Sequence, residues 1–221
     1  MHINSAAGNA PFTWSVVIPV KILTQAKSRL GMIGAERRAA LALAMAADTV
    51  TAVVACPETG PVIVVTDDQV VGDRLAGLGV EVVTDEPADG LNAALRHGAA
   101  WARQRWPGHG IAALFADLPA VRPEEISRAL RAAATWPTAF VADASGDGTT
   151  LYTARPGAAF QPSFGLASRA RHADGGAVEL SLDGIPGLRR DVDTPEDLSA
   201  AAEIGFGPNT AHLLRCAPRG R

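Results

Sequence analysis

Cysteine is nearly missing from this sequence of 221 residues, which has two. Cys56 and Cys216 lie far apart and fit neither metal-ligand nor redox spacing, so both read as passive thiols of a reducing cytoplasm. Charge is also sparse, with Asp, Glu, Lys and Arg making up 19% against roughly a quarter in ordinary domains. The formal net charge of −3 gives no reason to expect nucleic acid or an anionic membrane surface as a partner. No run is apolar over the length a membrane span needs. The first dozen residues lack the basic and apolar regions of a secretory leader. Neither Gly-x-x-x-x-Gly-Lys-Ser/Thr nor Gly-x-Gly-x-x-Gly occurs, which excludes a Walker loop and weakens the case for a dinucleotide cofactor. Repeats and low-complexity segments are absent as well.

What the chain has in quantity is apolar material. A hydrophobic share of 48% supports a substantial core, and the length suits one α/β domain. The stretch that organises the rest is Ile111–Ala116, an apolar run leading straight into Asp117, with Pro119 two positions later. Such a run, bounded by breakers, reads as a strand buried on both faces of a parallel sheet. Pro119 cannot extend a ladder, so Asp117 is expected at the carboxyl edge, where open α/β sheets bind ligands. A turn cap is the plainer account of a lone Asp-x-Pro.

Around this strand the pattern alternates. Strands are expected at 15–20, 61–66, 80–83, 138–142 and 151–154, and helices at 35–54, 68–75 and 91–105, from Pro123 and from Pro195 to about Gly205. The result is a Rossmann-like α/β domain with a mostly parallel sheet. Residues 155–190 show little period and read as an elaborated flap. Residues 1–13 read as a loose extension and 206–221 as a tail, leaving 14–205 as the domain.

Three groups can meet at the carboxyl edge. The loop after the first strand carries Lys21, Lys27 and Arg29, cations placed as a phosphate chain would need, although a solvated loop is the simpler reading. Asp117 is the second. Asp191 and Asp193 are the third, projecting alike if the backbone is extended; capping of the following helix is their plainer role. Carboxylates beside a triphosphate suit Mg2+, which takes one or two of them plus substrate phosphates. Asn92, near a helix start, is a candidate for a ribose or base edge, and Asp89 beside it for a cap. The segments Gly148-Thr149-Thr150 and Phe164-Gly165-Leu166-Ala167-Ser168 offer amides and hydroxyls for an anionic second substrate.

Taken in order, Lys27-Ser28-Arg29-Leu30, Ala116-Asp117-Leu118-Pro119, Asp147-Gly148-Thr149-Thr150-Leu151, Phe164-Gly165 with Ser168 and His172, and Asp191-Val192-Asp193-Thr194-Pro195 resemble the 2-phospholactate/phosphoenolpyruvate guanylyltransferase family, which makes the guanylylated precursor of the deazaflavin coenzyme F-420. The resemblance spans roughly residues 14–205. It implies a nucleotidyltransferase fold related to molybdenum-cofactor guanylyltransferases. It also implies Mg2+, expected as two ions, on Asp117, Asp191 and Asp193, with Lys21, Lys27 and Arg29 on the GTP triphosphate and Lys27 also in catalysis. Thr149, Thr150, Gly165 and Ser168 would hold the phosphate of the acceptor, largely through backbone amides. Leu166-Ala167 departs from the glycine-rich turn common in the family.

Two rivals stay open: a sugar-nucleotide-dependent glycosyltransferase of similar fold, and a noncatalytic nucleotide-binding module. The residues do not select guanine by themselves, nor do they separate phosphoenolpyruvate, 2-phospho-L-lactate and 3-phosphoglycerate. An Ala-, Arg- and Gly-rich composition suggests an actinobacterial-type source, for which the family resemblance implies phosphoenolpyruvate. A cytoplasmic location is expected, and a homodimer is left open.

Overall fold

The computed structural model describes residues 12–21, 34–85 and 88–216. Its first strand, β1 (Trp14–Pro19), starts one residue earlier than expected and ends on the proline that closes the ladder. Helix α1 (Ala35–Val54) and α3 (Leu91–Arg105) occupy the ranges read from their apolar spacing. Between them come β2 (Thr59–Val65), α2 (Gln69–Ala76) and β3 (Glu81–Val83). The carboxylate of Asp68 caps α2, accepting from the amides of Val70 and Val71, so Asp68 is a helix-start acid. The pivotal strand, β4 (Gly110–Leu114), is fully buried but ends two residues before the expected 116. α4 (Pro123–Ala133) and β5 (Thr138–Ala142) follow as expected.

The sheet has seven strands in the order β3-β2-β1-β4-β6-β5-β7. β1 to β4 pair in parallel, as α/β crossovers require. β6 (Thr149–Ala154) runs against both β4 and β5, since a tight polar loop and no helix joins it to β5. Side chains alternate between two cores. Val16, Ile18, Val62, Val64, Ala112 and Leu114 face one, and Val17, Ile63, Val65, Ile111 and Ala113 face the other. Helix α3 approaches the second face so closely at Gly98 that a Cβ there would stand 2.6 Å from Val17 Cγ1 and 2.7 Å from Val65 Cγ2. Gly98→Val is therefore expected to cost about 1–3 kcal/mol through overpacking, read as a lower midpoint of urea unfolding with an unchanged slope.

Two expectations are corrected. Residues 155–190 are not a flap lacking period. They contain α5 (Ser168–Asp174), β7 (Val178–Glu179), which pairs in parallel with β5, and α6 (Pro186–Arg189). Phe160, Phe164 and Ala177 bury into the second core, which fixes a path that glycine-rich composition alone does not specify. After α7 (Pro195–Ile204), residues 208–215 of the expected tail form α8 (Pro208–Arg215). Leu213 and Leu214 pack with Phe206 and Ile204 against Leu41 and Met45 of α1. The buried carboxylate of Asp48, in α1, caps α8: it accepts from the Asn209 amide at 2.9 Å and the Thr210 amide at 2.8 Å, and from Asn209 Nδ2 at 2.9 Å.

Candidate active site

Asp117 lies three residues past β4, on the bend that Pro119 completes. The bend is held by Thr49 of α1, whose buried hydroxyl donates to the Ala116 carbonyl (3.1 Å) and accepts from the Leu118 amide (3.1 Å). One side chain thus grips the backbone on both sides of Asp117. The Val192 amide then donates to the Asp117 carbonyl at 3.1 Å, so the two acidic segments are joined directly. Val192 is buried between Asp191 and Asp193, which places both carboxylates on the side opposite to it. The capping expected of this pair is carried out by others: Thr194 Oγ1 accepts from the Asp197 amide, and Asp197 Oδ2 accepts from the Thr194 amide.

The carboxylates act strongly on each other. Burial, and then the negative charges of Asp117, Asp193 and Asp143, push the Asp191 carboxyl up to about 7. Asp143 was not among the expected site residues. It follows β5 directly, as Asp117 follows β4 after a short bend, and that shared signal could have found it. Its Oδ1 accepts from the amides of Gly146 (2.7 Å) and Asp147 (3.2 Å). Arg189 anchors the same turn, donating from Nε to the Ala142 carbonyl and from Nη2 to the Asp143 carbonyl. Among the described residues no three His, Cys, Asp or Glu side chains come close enough to form a full metal-ligand set.

Lys21 is exposed two residues beyond β1, at the same edge. Lys27 and Arg29 lie outside the described residues.

The expected acceptor segments meet beside β6. Thr149 and Thr150 are both buried at the start of that strand, which is at the carboxyl edge because β6 runs antiparallel. The hydroxyl of Thr149 is engaged by His172 Nδ1 at 3.0 Å, and that of Thr150 has no hydrogen-bond partner among the described residues. Gly165 adopts φ +112° and Ala167 φ +53°, and Ser168 is buried with its amide donating to the Gly165 carbonyl. The left-handed Ala167 is an unusual conformation for a residue with a Cβ, and it falls where the sequence departs from the glycine-rich turn. Asn92 does not face an open base site with its amide unoccupied: its Oδ1 accepts from the Phe164 amide (2.8 Å) and its Nδ2 donates to the Phe164 carbonyl (3.0 Å). It holds the loop around Phe164 to α3.

His172 holds the same loop from α5. The Ser163 amide donates to its Nε2 at 2.9 Å, so that nitrogen carries the lone pair and Nδ1–H donates to Thr149. Burial, and then the neighbouring Arg171 cation, drive its pKa down to about 4. A histidine with a depressed folded pKa contributes stability that is complete above its unfolded value near 6.5 and lost as pH falls to about 4. Wild type is expected to lose roughly 3 kcal/mol over that window relative to His172→Gln, followed as the difference in unfolding midpoints between pH 7 and pH 4. Equal pH slopes for the two proteins would rule out a neutral, locked imidazole.

Comparison with known proteins follows this geometry. The family model described as "Guanylyl transferase CofC like" matches residues 14–215. Curated relatives include a phosphoenolpyruvate guanylyltransferase of Thermomonospora curvata, 55% identical over 210 residues, covering 95% of this chain and 92% of that protein. One of Streptomyces coelicolor is 54% identical, covering 90% and 94%. Among solved structures, a nucleotidyl transferase from Methanothermobacter thermautotroptrophicus superposes with a TM-score of 0.58 at 22% identity, covering 93% of this chain and 99% of that one. A 4-diphosphocytidyl-2C-methyl-D-erythritol synthase does so at 0.56 and 14% identity, covering 87% and 99%.

Proposed function

From a chain that belongs to the CofC-like guanylyl transferase family, and is therefore a nucleotidyltransferase, we propose the reaction in full: GMP passes from GTP to the phosphate of phosphoenolpyruvate, or of 2-phospho-L-lactate. An acceptor phosphate oxygen forms a bond to the α-phosphorus of GTP, the bond from that phosphorus to the bridging oxygen of the β-phosphate breaks, and pyrophosphate leaves with that electron pair. The product is enolpyruvyl-diphospho-guanosine, or its lactyl counterpart, a precursor of coenzyme F-420. The attacking oxygen is already anionic, so no strong general base is called for.

The observation that carries this reading is the convergence of Asp117 with Asp191 and Asp193 at the sheet's carboxyl edge. Burial together with the neighbouring negative charges of Asp117 and Asp193 raises the Asp191 carboxyl pKa, a setting that suits a divalent cation, which relieves the repulsion. Mg2+ takes one or two carboxylates and completes its shell with substrate phosphates and water, so the donor chemistry of these residues suits it. Asp117, Asp191 and Asp193 would hold the ions, expected as two, and bound Mg2+ would supply charge neutralisation at the reacting phosphates. Lys21, Lys27 and Arg29 would face the triphosphate. The acceptor phosphate would lie against Thr149, Thr150, Gly165 and Ser168; with the Thr149 hydroxyl held by His172, that residue would contribute its backbone.

Phosphoenolpyruvate is the first acceptor because the relatives above 50% identity are named for it. Pyrophosphate release is measured with GTP and Mg2+, adding phosphoenolpyruvate, 2-phospho-L-lactate and 3-phosphoglycerate separately. Release that depends on phosphoenolpyruvate is expected to exceed the others. Consumption of nucleoside diphosphate sugars with GTP ignored would move the reading to sugar transfer, and tight GTP binding without release under every acceptor would move it to a sensor.

A further inference from the structure

We propose that Arg171 is the residue that binds the carboxylate of the acceptor, an inference that rests on the guanylyl transfer reading above. Three side chains hold the loop Ser163–Gly165, and they are not equivalent. Asn92 takes both the amide and the carbonyl of Phe164, and His172 takes the amide of Ser163. Those bonds already fix the loop's path. Arg171 adds a single bond, Nη2 to the Phe164 carbonyl at 3.1 Å. A guanidinium has five N–H donors, so this one contact leaves most of its fork unused.

The position of that fork is specific. A Cβ built on Gly165 would meet Arg171 Nη2 at 3.2 Å, so the guanidinium stands against the glycine proposed to lie beside the acceptor. Two other arginines near the site are consumed by the protein. Arg169, two residues earlier on α5, pairs with Glu179 at 2.9 Å and donates to the Gly146 carbonyl. Arg189 is spent on the carbonyls of Ala142 and Asp143. Among the described residues Arg171 has no carboxylate partner, and it is exposed. Its charge reaches inward, helping to keep His172 neutral.

The chemistry selects which acceptor group it meets. The acceptors under consideration carry one phosphate and one carboxylate. The phosphate must face the α-phosphorus and the acidic cluster. The acidic residues stand on the segments that follow β4, β5 and α6, whereas Arg171 stands on α5 beside Gly165 and the Phe164 carbonyl. A planar guanidinium matches a planar carboxylate through two parallel bonds. The left-handed turn at Ala167 leads into α5, bringing Arg171 round one helical turn beneath the loop it serves.

The test uses the full chain as wild type, Arg171→Gln and Arg171→Lys. Each is assayed for pyrophosphate release from GTP with phosphoenolpyruvate and with isopropenyl phosphate, in which a methyl replaces the carboxylate. Wild type is expected to favour phosphoenolpyruvate by about 100-fold in kcat/KM, the size of a charge-assisted hydrogen-bonded pair. Arg171→Gln should lose about that factor on phosphoenolpyruvate, mostly in the acceptor KM, with the GTP KM unchanged and little change on isopropenyl phosphate. Arg171→Lys should recover part of the loss. Equal losses on both acceptors would show that Arg171 only shapes the loop and would overturn the proposal, as would an unaltered preference. Wild type silent with every phosphorylated carboxylic acid would overturn the transfer reading along with it.

Discussion

Asp191→Asn is expected to make the metal-free protein more stable and to abolish turnover in the same stroke. The Asp191 carboxyl is pushed up to about 7 in the fold, from an ordinary value near 3.8. A raised carboxyl pKa gives stability that is complete below the unfolded value and lost as pH rises through the folded one. At pH 8 the ionised Asp191 therefore costs the fold on the order of 3 kcal/mol, which an uncharged Asn of similar shape avoids. Turnover should move the opposite way, by about a thousandfold or more, if Asp191 helps hold the ions that neutralise the reacting phosphates. Asp117→Asn and Asp193→Asn should share the loss of rate. Two measurements separate the parts of the claim: thermal unfolding at pH 8 without metal, and kcat with Mg2+. Added Mg2+ should also stabilise wild type and leave Asp191→Asn nearly unmoved. Near-normal turnover in these variants would sink the metal assignment; a less stable Asp191→Asn would sink the account of mutual repulsion.

The second large effect concerns stability alone. Asp48→Ala removes the carboxylate that accepts three N–H groups at the start of α8, two of them backbone amides. Thr210 is fully buried, so its amide would be left without solvent or protein partner. Losing a buried charged acceptor of this kind costs about 3 kcal/mol or more, which for a chain of this length lowers Tm by roughly 10 °C. Asp48→Asn, retaining one oxygen acceptor, should fall between the two. A Tm unchanged in Asp48→Ala would show that α8 contributes nothing to the cooperative unit.

The difference between what could and could not be read from sequence follows the range of the interactions involved. α1 and α3 carry their own apolar stripes, and α4 and α7 open on their own Pro and acidic residues, so local pattern sufficed. Asp117 was legible because an apolar run, an acid and a proline stand within a few residues. α8 was not, since its cap comes from Asp48, more than 160 residues upstream, and its apolar contacts are few. The path of 155–190 escaped for the same reason: Asn92 from α3 and Thr149 from β6 supply the partners of Phe164 and His172. Thr49 has no sequence signal whatever, being one of two threonines in an alanine-rich helix until the fold puts Ala116 and Leu118 against it. Residue positions at the site were thus easier to read than the side chains that hold them.

The reversal of direction between β4 and β6 divides the sheet into two halves. Parallel strands on one side present their ends to the loop that begins at Lys21, proposed for the nucleotide; β6, α5 and the loop between them carry the residues proposed for the acceptor. Asp117 stands at the seam. On the proposed reading, residues 143–174 form a cassette whose exchange alters the acceptor and leaves the donor side untouched. Transplanting that cassette between relatives that use different acceptors should carry the acceptor preference with it while GTP is retained.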